Sequence, residues 1–566
     1  MLKRGELYSL KDVVQKKFLE YGDKVAYLEK NKKNKKFEEI SFNKLRKDVK
    51  SLATVLAKKY NLEDERIAVI GKNSYKWYMS YLAVLTGVGI IVPLDKELPQ
   101  NEIENLLKRS KAKCIIYSDE KKEVINSIKY NLSDEIIYIN MNQEKSDDNS
   151  LSLNELVLEG NKLLNDGDKW YDNKEIDPDS FKVLMFTSGT TSSSKGVMLS
   201  HNNIISNLDG ATDILRVGIE DRFFSVLPMH HIYESIVTGM YALANGSSVV
   251  ICEGLKYISK DIKDSKPTVL VCVPLLVEHV CKKINKTLEE TKKEKLVGTL
   301  VKITNKLGKL GAKLKRKVFA KIHESLGGNL KYILVAAAPI EKTIIEQIEG
   351  YGYTVLQGYG LTETAPLVSA TREETRKAGT VGQAANCEIK INTKEGTKEG
   401  EILVRGANVM LGYYEDEEAT KEVIKDGWFY TGDVGFFDDE GHLHITGRSK
   451  NVIVTNNGKN IYPEEIEFEI NKLKLVKESM VYGEGSGSDM SVSAIVTLNE
   501  EEIQEFYNNE KPDYSTIKEK IWEGIKSIND KMVSYKAVKN LKIKLKDFEK
   551  TTTLKIKRFL ESNKEE

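Results

Sequence analysis

The sequence predicts an α/β fold: a large amino-terminal domain of several subdomains built on stacked mixed sheets, followed by a small α+β domain. Short runs rich in Val and Ile alternate with amphipathic segments over most of residues 1–448. Gly, Asp and aromatic residues are concentrated over 401–446, and smaller elements follow Arg448. Alternation of this kind is typical of layered sheets and helices, and the later change of pattern indicates a second domain.

The buried strands are predicted by apolar runs that are too short for helices. Runs of this length, rich in β-branched residues, are typical of strands that are covered on both faces. Since helix-like segments separate them, the strands are expected to be largely parallel. The runs lie at 66–71, 89–94, 113–118, 183–188, 248–252, 268–273 and 331–336.

The carboxy-terminal part follows a different pattern. Gly and Asp turns between apolar residues over 401–446 predict a short antiparallel segment. Pro463, followed by Glu464 and Glu465, predicts the start of a helix. Proline loses no hydrogen bond at that position, and the carboxylates meet the positive end of the helix dipole. We therefore expect two domains, over 1–448 and 449–566.

Composition and charge exclude several classes of protein. The chain has 566 residues, of which 40% are hydrophobic and 30% charged, enough for a large core and unlike a disordered chain. Lys and Arg total 86 and Asp and Glu 85, so the net charge of +1 argues against a globally basic nucleic-acid-binding protein and leaves a local basic patch as the alternative. No apolar run approaches the roughly 20 residues of a membrane span, and the first residues lack the apolar core of a secretory signal. Five scattered cysteines fit a reducing compartment, so a cytoplasmic location is expected.

The strongest local signal is FTSGTTSSSKGVMLSH at 186–201, where a strand-like run leads into a loop of small and hydroxylated residues. The backbone N–H groups, hydroxyls and Lys195 ammonium of such a loop suit phosphate oxygens. Because Lys195 precedes Gly196, the loop does not follow the P-loop pattern of nucleoside triphosphatases. Taken alone, the stretch is equally compatible with a flexible turn.

Two further stretches offer groups that suit a nucleotide. QGYGLTETAP at 357–366 contains Tyr359, which is able to stack on a base, and Glu363, whose carboxylate suits Mg²⁺. WFYTGDVG at 428–435 holds Asp433 in a glycine turn, where a carboxylate is able to bind both hydroxyls of a ribose. A structural tyrosine and an Asx turn are the alternatives.

TGRSKNVIVTNNGKNIYPEEIE at 446–467 and EKTTTLKIKR at 549–558 complete a set of five stretches in a fixed order. Together they resemble the adenylate-forming family, which comprises acyl-CoA synthetases, peptide-synthetase adenylation domains and luciferases. The resemblance extends over nearly the whole chain. It implies that a carboxylate and Mg·ATP give an acyl-adenylate and pyrophosphate, after which a thiol displaces AMP. It also implies that the small carboxy-terminal domain acts as a mobile lid.

The resemblance implies a role for each residue that matches a family motif. The β- and γ-phosphates are held by Thr187, Ser188, Gly189, Thr190, Thr191 and Lys195, and adenine is flanked by Ala337, Ala338, Pro339 and Tyr359. Thr362 lies at the α-phosphate, Glu363 faces Mg²⁺, and Asp433 and Arg448 bind ribose. Lys450 is the hinge between the domains, Gly458 lines the tunnel of the CoA thiol, and Lys555 is the lid lysine of the adenylation step.

The chain departs from the commoner family pattern in two motifs. The phosphate loop usually has Gly and Pro where this chain has Ser192 and Ser194, which alters the expected stiffness of the loop. Leu554 stands where a Gly usually precedes the lid lysine. TTTLKIKR is instead similar to the variant seen in long-chain fatty acyl-CoA synthetases, and this similarity supports the assignment of Lys555.

The histidines carry two smaller hypotheses. In the family, the segment LPMHHIYES at 227–235 borders the acyl pocket, and His231 matches the position that faces the substrate carboxylate. A packed or hydrogen-bonded histidine is the alternative. His442 and His444 alternate on one strand face with no further ligands expected nearby, so no metal site is predicted there.

Residues 282–326 stand apart from the rest. Apolar residues recur at steps of three or four and predict one helical face, although Gly308 and Gly311 weaken the helix. No acidic residue occurs from Lys295 to His323, whereas basic residues are frequent. One interpretation is a helix packed on its own domain with a solvated basic face, and the other is an amphipathic surface that contacts anionic membrane. The apolar positions are Leu296, Leu300, Ile303, Leu307, Leu310, Leu314 and Val318.

Long-chain acyl-CoA synthetases carry an extra segment at the position of 282–326, so a medium- to long-chain fatty acid is the expected substrate. The hypothesis is an acid–thiol ligase that joins this acid to CoA, with Mg²⁺ as cofactor and ATP as cosubstrate. One alternative is an adenylating enzyme that loads an acyl or aryl acid onto a carrier protein in trans. The other is a non-catalytic nucleotide-binding or membrane-associated scaffold, against which the joint retention of the motif residues argues.

Overall fold

Each apolar run that predicts a strand forms one in the computed structural model of this chain. The structure describes residues 1–31, 33–187, 194–393, 395–454, 460–485, 491–507, 512–550 and 556–561. Over these residues the strands are β1 (Val25–Lys30), β2 (Phe37–Ser41), β3 (Arg66–Ile70), β4 (Ile90–Leu94), β5 (Cys114–Tyr117), β6 (Ile137–Asn140), β7 (Leu151–Ser152), β8 (Phe181–Thr187), β9 (Lys195–Ser200), β10 (Arg222–Ser225), β11 (Ser248–Ile251), β12 (Val269–Cys272), β13 (Tyr332–Val335), β14 (Thr354–Gly360), β15 (Leu367–Ala370), β16 (Gln383–Ala384), β17 (Glu388–Thr393), β18 (Gly400–Arg405), β19 (Gly412–Tyr413), β20 (Ile424–Lys425), β21 (Trp428–Phe437), β22 (Leu443–Arg448), β23 (Ile453–Val454), β24 (Asn460–Ile461), β25 (Val476–Glu484), β26 (Ser491–Leu498) and β27 (Val538–Lys544).

The helices occupy most of the amphipathic segments between the strands, which is the layering expected of an α/β protein. They are α1 (Phe18–Tyr21), α2 (Phe42–Tyr60), α3 (Tyr75–Ala83), α4 (Gln100–Ser110), α5 (Lys122–Ile128), α6 (Leu153–Asn165), α7 (Trp170–Asn173), α8 (His201–Thr212), α9 (Ala242–Ala244), α10 (Ile258–Ser265), α11 (Pro274–Glu290), α12 (Glu294–Lys306), α13 (Gly308–Val318), α14 (Ala320–Ser325), α15 (Lys342–Gly350), α16 (Glu417–Val423), α17 (Pro463–Ile470), α18 (Glu500–Phe506), α19 (Tyr514–Asn529) and α20 (Arg558–Glu561).

The chain divides into two compact units. The first contains residues 1–187, 195–389 and 404–429, and the described part of the second contains Ser194, 390–403 and the residues from 430 onward. The division by contacts thus falls at 429/430 and at two internal crossings. The predicted division into domains over 1–448 and 449–566 stays a prediction.

The first unit is built on two large mixed sheets. One has nine strands in the order β16-β15-β14-β13-β12-β10-β11-β1-β2, and the other has eight in the order β19-β9-β8-β4-β3-β5-β6-β7. Within them β10 to β14 are parallel to one another, and so are β3 to β6, as the continuous apolar runs predict. A single apolar cluster draws buried side chains from strands of both sheets, so the sheets share one core.

The second unit contains the smaller elements predicted after Arg448. Strands β25, β26 and β27 form a three-stranded sheet, and buried residues of α17 and α19 join its apolar cluster. Helix α17 begins at Pro463 with Glu464 and Glu465 in its first turn, as predicted. Strand β21 pairs antiparallel with β22, which confirms the predicted antiparallel segment. The fold class predicted from the sequence is therefore confirmed.

The segment over 282–326 differs from its prediction in one respect. The apolar repeat predicts one helical face, but the segment forms separate helices that break at Leu307 and Gly308. Gly308 adopts φ = +53°, a backbone conformation that favours glycine, and so ends the first helical run. Within the described residues, no helix is both long and apolar enough to cross a bilayer.

Helices α2 and α6 pack closely because α6 carries Gly160 at the contact. A Cβ atom on Gly160 would lie 2.0 Å from the backbone oxygen of Ser51. We expect Gly160→Ala to lower the free energy of unfolding by about 1–3 kcal/mol, because the backbone atoms must move apart. Urea unfolding followed by circular dichroism measures the change. Gly298→Ala is the matched control, since no atom lies within 4 Å of its added methyl group. Alanine there should be neutral or stabilise α12 by up to ~1 kcal/mol, and equal losses in both variants would contradict the assigned contact.

Candidate functional site

Three predicted segments follow strands of the nine-stranded sheet at its carboxyl edge. The histidine segment follows β10, the Ala337–Pro339 loop follows β13, and Tyr359 lies near the end of β14. These strands are parallel and lie side by side, with β12 between β10 and β13. Ligands of α/β proteins commonly bind outside the carboxyl ends of such strands. The topology thus brings the predicted adenine and acyl-carboxylate residues to one edge.

The predicted adenine residues form an open part of this edge. Ala337, Ala338 and Pro339 are all exposed, and Ala337 adopts φ = +75°, so the chain turns sharply away from the sheet. Tyr359 is half-buried and lies opposite Ser369 in the β14–β15 pair. The structure therefore gathers an exposed backbone loop and an aromatic ring on neighbouring strands, which suits a flat base.

The two glycines that flank Tyr359 differ in how much room they leave for a side chain. At Gly360 an added Cβ would lie 1.7 Å from the carbonyl oxygen of Pro366, so only glycine allows the strand and the returning chain to meet. At Gly358 it would make an ordinary contact, 3.7 Å from Cβ of Ala336. Within QGYG, the close approach of the backbone at Gly360 thus fixes the position of Tyr359.

The loop that carries His231 is held by hydrogen bonds. Asn73 donates from Nδ2 to the carbonyl of Leu227 at 2.7 Å and accepts from the N–H of Met229 at 2.9 Å. The N–H of Tyr233 donates to Nδ1 of His231 at 3.2 Å, so a neutral His231 carries its proton on Nε2. The Tyr233 hydroxyl donates in turn to the carbonyl of Leu334 on β13, at 3.1 Å.

The neighbouring ionisable groups are shifted towards their neutral forms. Burial lowers the pKa of His230, whose Nε2 lies 3.5 Å from a carboxylate oxygen of Asp95. Burial also raises the pKa of Glu234 to about 8, and Thr238 donates to it at 2.9 Å. Burial thus favours the neutral form of Glu234, which reduces the negative charge beside the loop.

The predicted phosphate loop lies between β8 and β9 in the sequence. Thr187 ends β8 directly opposite Lys195, the first residue of β9, and the Thr187 hydroxyl donates to the Lys195 carbonyl at 3.4 Å. Ser188, Gly189, Thr190 and Thr191 lie outside the described residues. The two ends of the loop are thus fixed by an antiparallel ladder.

Lys195 and Glu363 both contact one tyrosine, Tyr413. The Lys195 ammonium lies 4.4 Å from the centroid of the Tyr413 ring, and the Tyr413 hydroxyl donates to Oε1 of Glu363 at 3.0 Å. The contact between Lys195 and the ring is a cation–π interaction. No ion pair joins Lys195 to Glu363 in the described part of the chain. The site therefore keeps a cation and an anion close together without their neutralising each other.

The pairing of β19 with β9 places Tyr413 at this position. Tyr413 lies opposite Val197, two residues beyond Lys195, and the N–H of Met410 donates to the Glu363 carbonyl at 2.9 Å. Sequence reasoning missed Tyr413. Its only local signal is an aromatic pair after a glycine, LGYY, which does not indicate a ligand site by itself.

Two buried asparagines of α8, Asn203 and Asn207, join the loops of the site and were also missed. Asn203 donates from Nδ2 to the carbonyls of Ala407 and Val409, at 2.8 and 2.9 Å. Asn207 donates to the carbonyl of Thr364 at 2.9 Å and accepts from the N–H of Leu367. Their spacing of four residues, just after the helix cap at Ser200, is the signal that was available, because it places both on one helix face.

Glu363 meets the chemical requirements of a magnesium ligand. It is half-buried, its carboxylate offers the hard oxygen atoms that Mg²⁺ prefers, and the tyrosine hydroxyl orients one of them. Thr362, in the same 3₁₀ turn, is half-buried as well. The donor types at this turn therefore fit the predicted Mg²⁺.

The predicted ribose residues, Asp433 and Arg448, form a pair within the second unit. They are opposite each other in the β21–β22 ladder, and Nε of Arg448 lies 2.9 Å from Oδ1 of Asp433. Asp433 is only 5% exposed, and Gly432 before it adopts φ = +71°. The sequence pattern thus identified two residues that the fold joins directly, although they come from separate strands.

Three further predicted residues belong to the sequence after Arg448. Lys450 is exposed, in a 3₁₀ turn that directly follows β22. Gly458 and Lys555 lie outside the described residues. The hinge, tunnel and lid roles therefore stay predictions.

The hairpin with His442 and His444 holds more acidic neighbours than the sequence suggests. Asp438, Glu440 and His442 present ligand atoms within 4.8 Å of one another, and Nε2 of His444 lies 3.1 Å from Asp438. Asp438 also accepts hydrogen bonds from backbone N–H groups of the same turn, including that of His442. These hydrogen bonds account for the cluster as the structure of a tight turn.

Comparison with known proteins agrees with this geometry. The family described as "AMP-binding enzyme" matches residues 14–414, and its carboxy-terminal domain family, "AMP-binding enzyme C-terminal domain", matches 450–560. The chain is 28% identical over 486 residues to long-chain-fatty-acid–CoA ligase 5 of Rattus norvegicus, covering 80% of this chain and 70% of the relative. It is also 28% identical over 546 residues to fatty acyl-CoA synthetase B of Dictyostelium discoideum, covering 90% and 80%.

Solved structures show the same fold. ATP-bound MatB from Rhodopseudomonas palustris superposes with a TM-score of 0.75 at 23% identity, covering 98% of this chain and 97% of that one. The anthranilate CoA ligase AuaEII in complex with anthranoyl-AMP gives 0.76 at 19% identity, covering 99% and 98%. Since the first family model covers well over half of the sequence, the chain belongs to the AMP-binding enzyme family, the adenylate-forming enzymes that the five ordered motifs indicate.

Proposed function

We propose that this acid–thiol ligase activates a medium- to long-chain fatty acid with Mg·ATP and transfers the acyl group to CoA, giving acyl-CoA, AMP and pyrophosphate. The observation that carries the proposal is that Lys195 and Glu363 both contact Tyr413, one at its ring and the other at its hydroxyl. The named relatives that ligate long-chain fatty acids to CoA support the choice of acid and acceptor.

The first step brings two anions together, because a carboxylate attacks the α-phosphorus of ATP. The site must neutralise charge at the phosphates and keep the nucleophile and the leaving pyrophosphate in line. No general base is required, since the acid is already ionised at neutral pH. Positively charged and hydrogen-bonding groups therefore do most of the catalytic work.

The residues of the first unit divide this task. In the proposal the β- and γ-phosphates lie in the loop that begins at Thr187 and ends at Lys195, where the ammonium balances their charge. Thr362 contacts the α-phosphate, and Glu363 holds Mg²⁺, which would screen the phosphate charge when bound. Because Tyr413 separates Lys195 from Glu363, both remain available to ligands of opposite charge.

The proposal assigns separate residues to the base, the ribose and the acid. Ala337, Ala338, Pro339 and Tyr359 flank the base. Asp433 binds the ribose hydroxyls, and the 2.9 Å contact from Arg448 fixes the orientation of its carboxylate. His231 faces the acid, with the proton on Nε2 able to donate to a carboxylate oxygen.

The second step requires a different arrangement, because CoA must reach the acyl carbonyl. We propose that residues 449–566 act as the lid, with Lys450 as the hinge, Gly458 lining the thiol tunnel and Lys555 present only in the adenylation step. A lid of this kind uses one site for two reactions in succession. The proposal keeps the cytoplasmic location that the sequence predicts, and of the two interpretations of 282–326 it is compatible with contact with anionic membrane.

A panel of acids from C2 to C20 tests the proposed substrate and acceptor. We expect AMP release with palmitate and other long acids when CoA is present, and little release with acetate or an aryl acid. The measurement is AMP formation with CoA or with an acyl carrier protein as the acceptor. Turnover of acetate or an aryl acid but not palmitate would contradict the substrate, and dependence on the carrier protein would contradict the acceptor.

The lid lysine is tested by Lys555→Ala. Fatty-acid-dependent exchange of pyrophosphate into ATP should fall on the order of 100-fold or more, comparable to the loss of an oxyanion donor. Thiolysis of a supplied acyl-adenylate by CoA should fall far less, because the lysine serves only the first step. Lys557→Ala is the matched control, with the same charge lost two residues away. Collapse of exchange in this control, with activity kept in Lys555→Ala, would refute the assignment.

The separating role of Tyr413 is tested by Tyr413→Leu and Tyr413→Phe. Without the ring, Lys195 should pair with Glu363, and we expect KM for Mg·ATP to rise about tenfold, as the loss of ~1.4 kcal/mol predicts. Tyr413→Phe keeps the ring and loses one hydrogen bond, worth ~1 kcal/mol, so its effect should be smaller. Magnesium titrations of initial rate distinguish weaker metal binding from a general loss of activity.

Tyr414→Phe is the matched control for the Tyr413 variants, because Tyr414 is the adjacent aromatic residue and its ring packs on Phe181. It should leave KM for Mg·ATP unchanged. If Tyr413→Leu also leaves KM and the magnesium dependence unchanged, Tyr413 does not keep the two charges apart.

A further inference from the structure

Helices α12 and α13 expose a row of large apolar side chains. We call the row the insertion surface and define it as Leu296, Ile303, Leu307, Leu310 and Leu314. Leu296 is 58% exposed, Ile303 49% and Leu310 67%, and the other two are exposed as well. Apolar side chains exposed in a continuous row indicate an interaction site, whereas single ones do not.

The insertion surface is not needed to pack the segment on its own unit. A different set of residues does so, and these are half-buried against the apolar cluster beneath: Val297, Leu300, Val301, Val318 and Ile322. The helices are thus apolar on two sides. The predicted single face is divided between an inner set, which supports the interpretation of packing on the same domain, and an outer set that this interpretation leaves unexplained.

The helix geometry aligns the outer residues. Leu296 and Ile303 are seven residues apart on α12, two full turns, and Leu310 and Leu314 are one turn apart on α13. The two helices approach closely, because a Cβ on Gly311 would lie 1.8 Å from the Thr304 carbonyl oxygen. Only glycine permits this approach, and it keeps the two halves of the row on neighbouring helices.

From Lys295 to His323, the stretch that carries most of the insertion surface, every Asp, Glu, Lys or Arg position is basic. Exposed lysines accompany the row, and no acidic residue occurs between Lys295 and His323. Within the described residues these lysines form no ion pairs. The positive charge is therefore available to a partner, and the exposed lysines are Lys295, Lys302, Lys306, Lys317 and Lys321.

We propose that the insertion surface lies on the face of an anionic lipid bilayer, with its apolar side chains among the acyl chains and the lysines at the headgroups. Apolar residues flanked by lysines are the chemistry that binds such an interface. A second copy of the chain fits poorly, because a two-fold contact would bring like-charged lysines together. This inference rests on the proposed function in one respect, because it names the bilayer as the source of the proposed fatty-acid substrate.

Contact with the bilayer shortens the path of a substrate that partitions into membranes. A long-chain acid has little solubility in water, so an enzyme at the membrane surface meets it at a much higher local concentration. A short soluble acid gains nothing from this contact. The surface should therefore change the supply of substrate and leave the chemistry unchanged.

Co-sedimentation with vesicles tests the contact without ATP, CoA or fatty acid, so that loss of binding is distinct from loss of activity. The full chain should sediment with vesicles of phosphatidylcholine and phosphatidylglycerol, and far less with phosphatidylcholine alone. Lys302→Glu with Lys306→Glu should weaken partitioning on the order of 25-fold or more, from about fivefold for each lysine. Ile303→Glu with Leu310→Glu should weaken it about tenfold or more.

Leu158→Glu with Lys162→Glu is the matched control, since α6 carries this exposed leucine and lysine on the same unit. This control should bind anionic vesicles as well as the unaltered protein does. A second readout is the rate with palmitate presented in vesicles, which the insertion variants should lower, while the rate with the longest freely soluble acid that is turned over stays unchanged.

Three outcomes overturn the proposal. The first is that the unaltered protein does not bind anionic vesicles. The second is that the insertion variants, which are the two double variants in α12 and α13, bind as well as the control. The third is that the protein binds vesicles of phosphatidylcholine alone as well as it binds anionic vesicles. Sedimentation velocity adds a fourth: if the insertion variants convert a dimer to a monomer and vesicle binding is absent, the surface is a contact between two copies. Loss of vesicle binding in the insertion variants alone, with soluble-acid turnover retained, supports it.

Discussion

The site in the first unit depends on keeping Lys195 and Glu363 near each other but unpaired. An ion pair between them would compete with both the phosphates and the metal. Tyr413 contacts both groups instead, because its ring attracts the ammonium and its hydroxyl hydrogen-bonds to the carboxylate. Its position follows from the β9–β19 ladder, so the strand that begins with Lys195 also fixes the group that keeps its charge available.

Around this arrangement, side-chain amides replace the backbone hydrogen bonds that irregular loops lack. Asn203 and Asn207 on α8 bind carbonyls of two separate loops. Asn73 binds a carbonyl and an N–H group at the start of the histidine segment. Buried carbonyl and N–H groups are costly when unpaired, so these amides hold the loops in one conformation. A nucleotide site of this kind needs rigid loops, because catalysis by positioning loses its advantage when the groups move.

The parts of the structure that local sequence determines were predicted, and the parts that depend on distant contacts were not. Buried parallel strands such as β3 and β12 need only a continuous apolar run, and the start of α17 follows from Pro463. Asp433 and Arg448 were identified because their motifs are ordered along the chain. Tyr413 was missed because its importance comes from a ladder with a strand far earlier in the sequence. The apolar repeat of 282–326 was identified, but its division into inner and outer faces depends on the core that the helices meet.

A net charge of +1 conceals local fields that matter more than the total. The Lys195 ammonium contacts the Tyr413 ring and forms no ion pair with the neighbouring Glu363 carboxylate. Between Lys295 and His323 the lysines that the structure describes remain without ion pairs because that stretch of the sequence contains no acidic residue. The arrangement at Lys195 suits an anion that must be bound and released in each turnover, because Lys195 and Glu363 both stay in contact with Tyr413. The basic stretch suits a broad anionic surface, for which many weakly held charges are better than one fixed contact. Overall charge is therefore a poor guide to whether a protein binds anions, and the distance from each cation to its nearest anion is a better one.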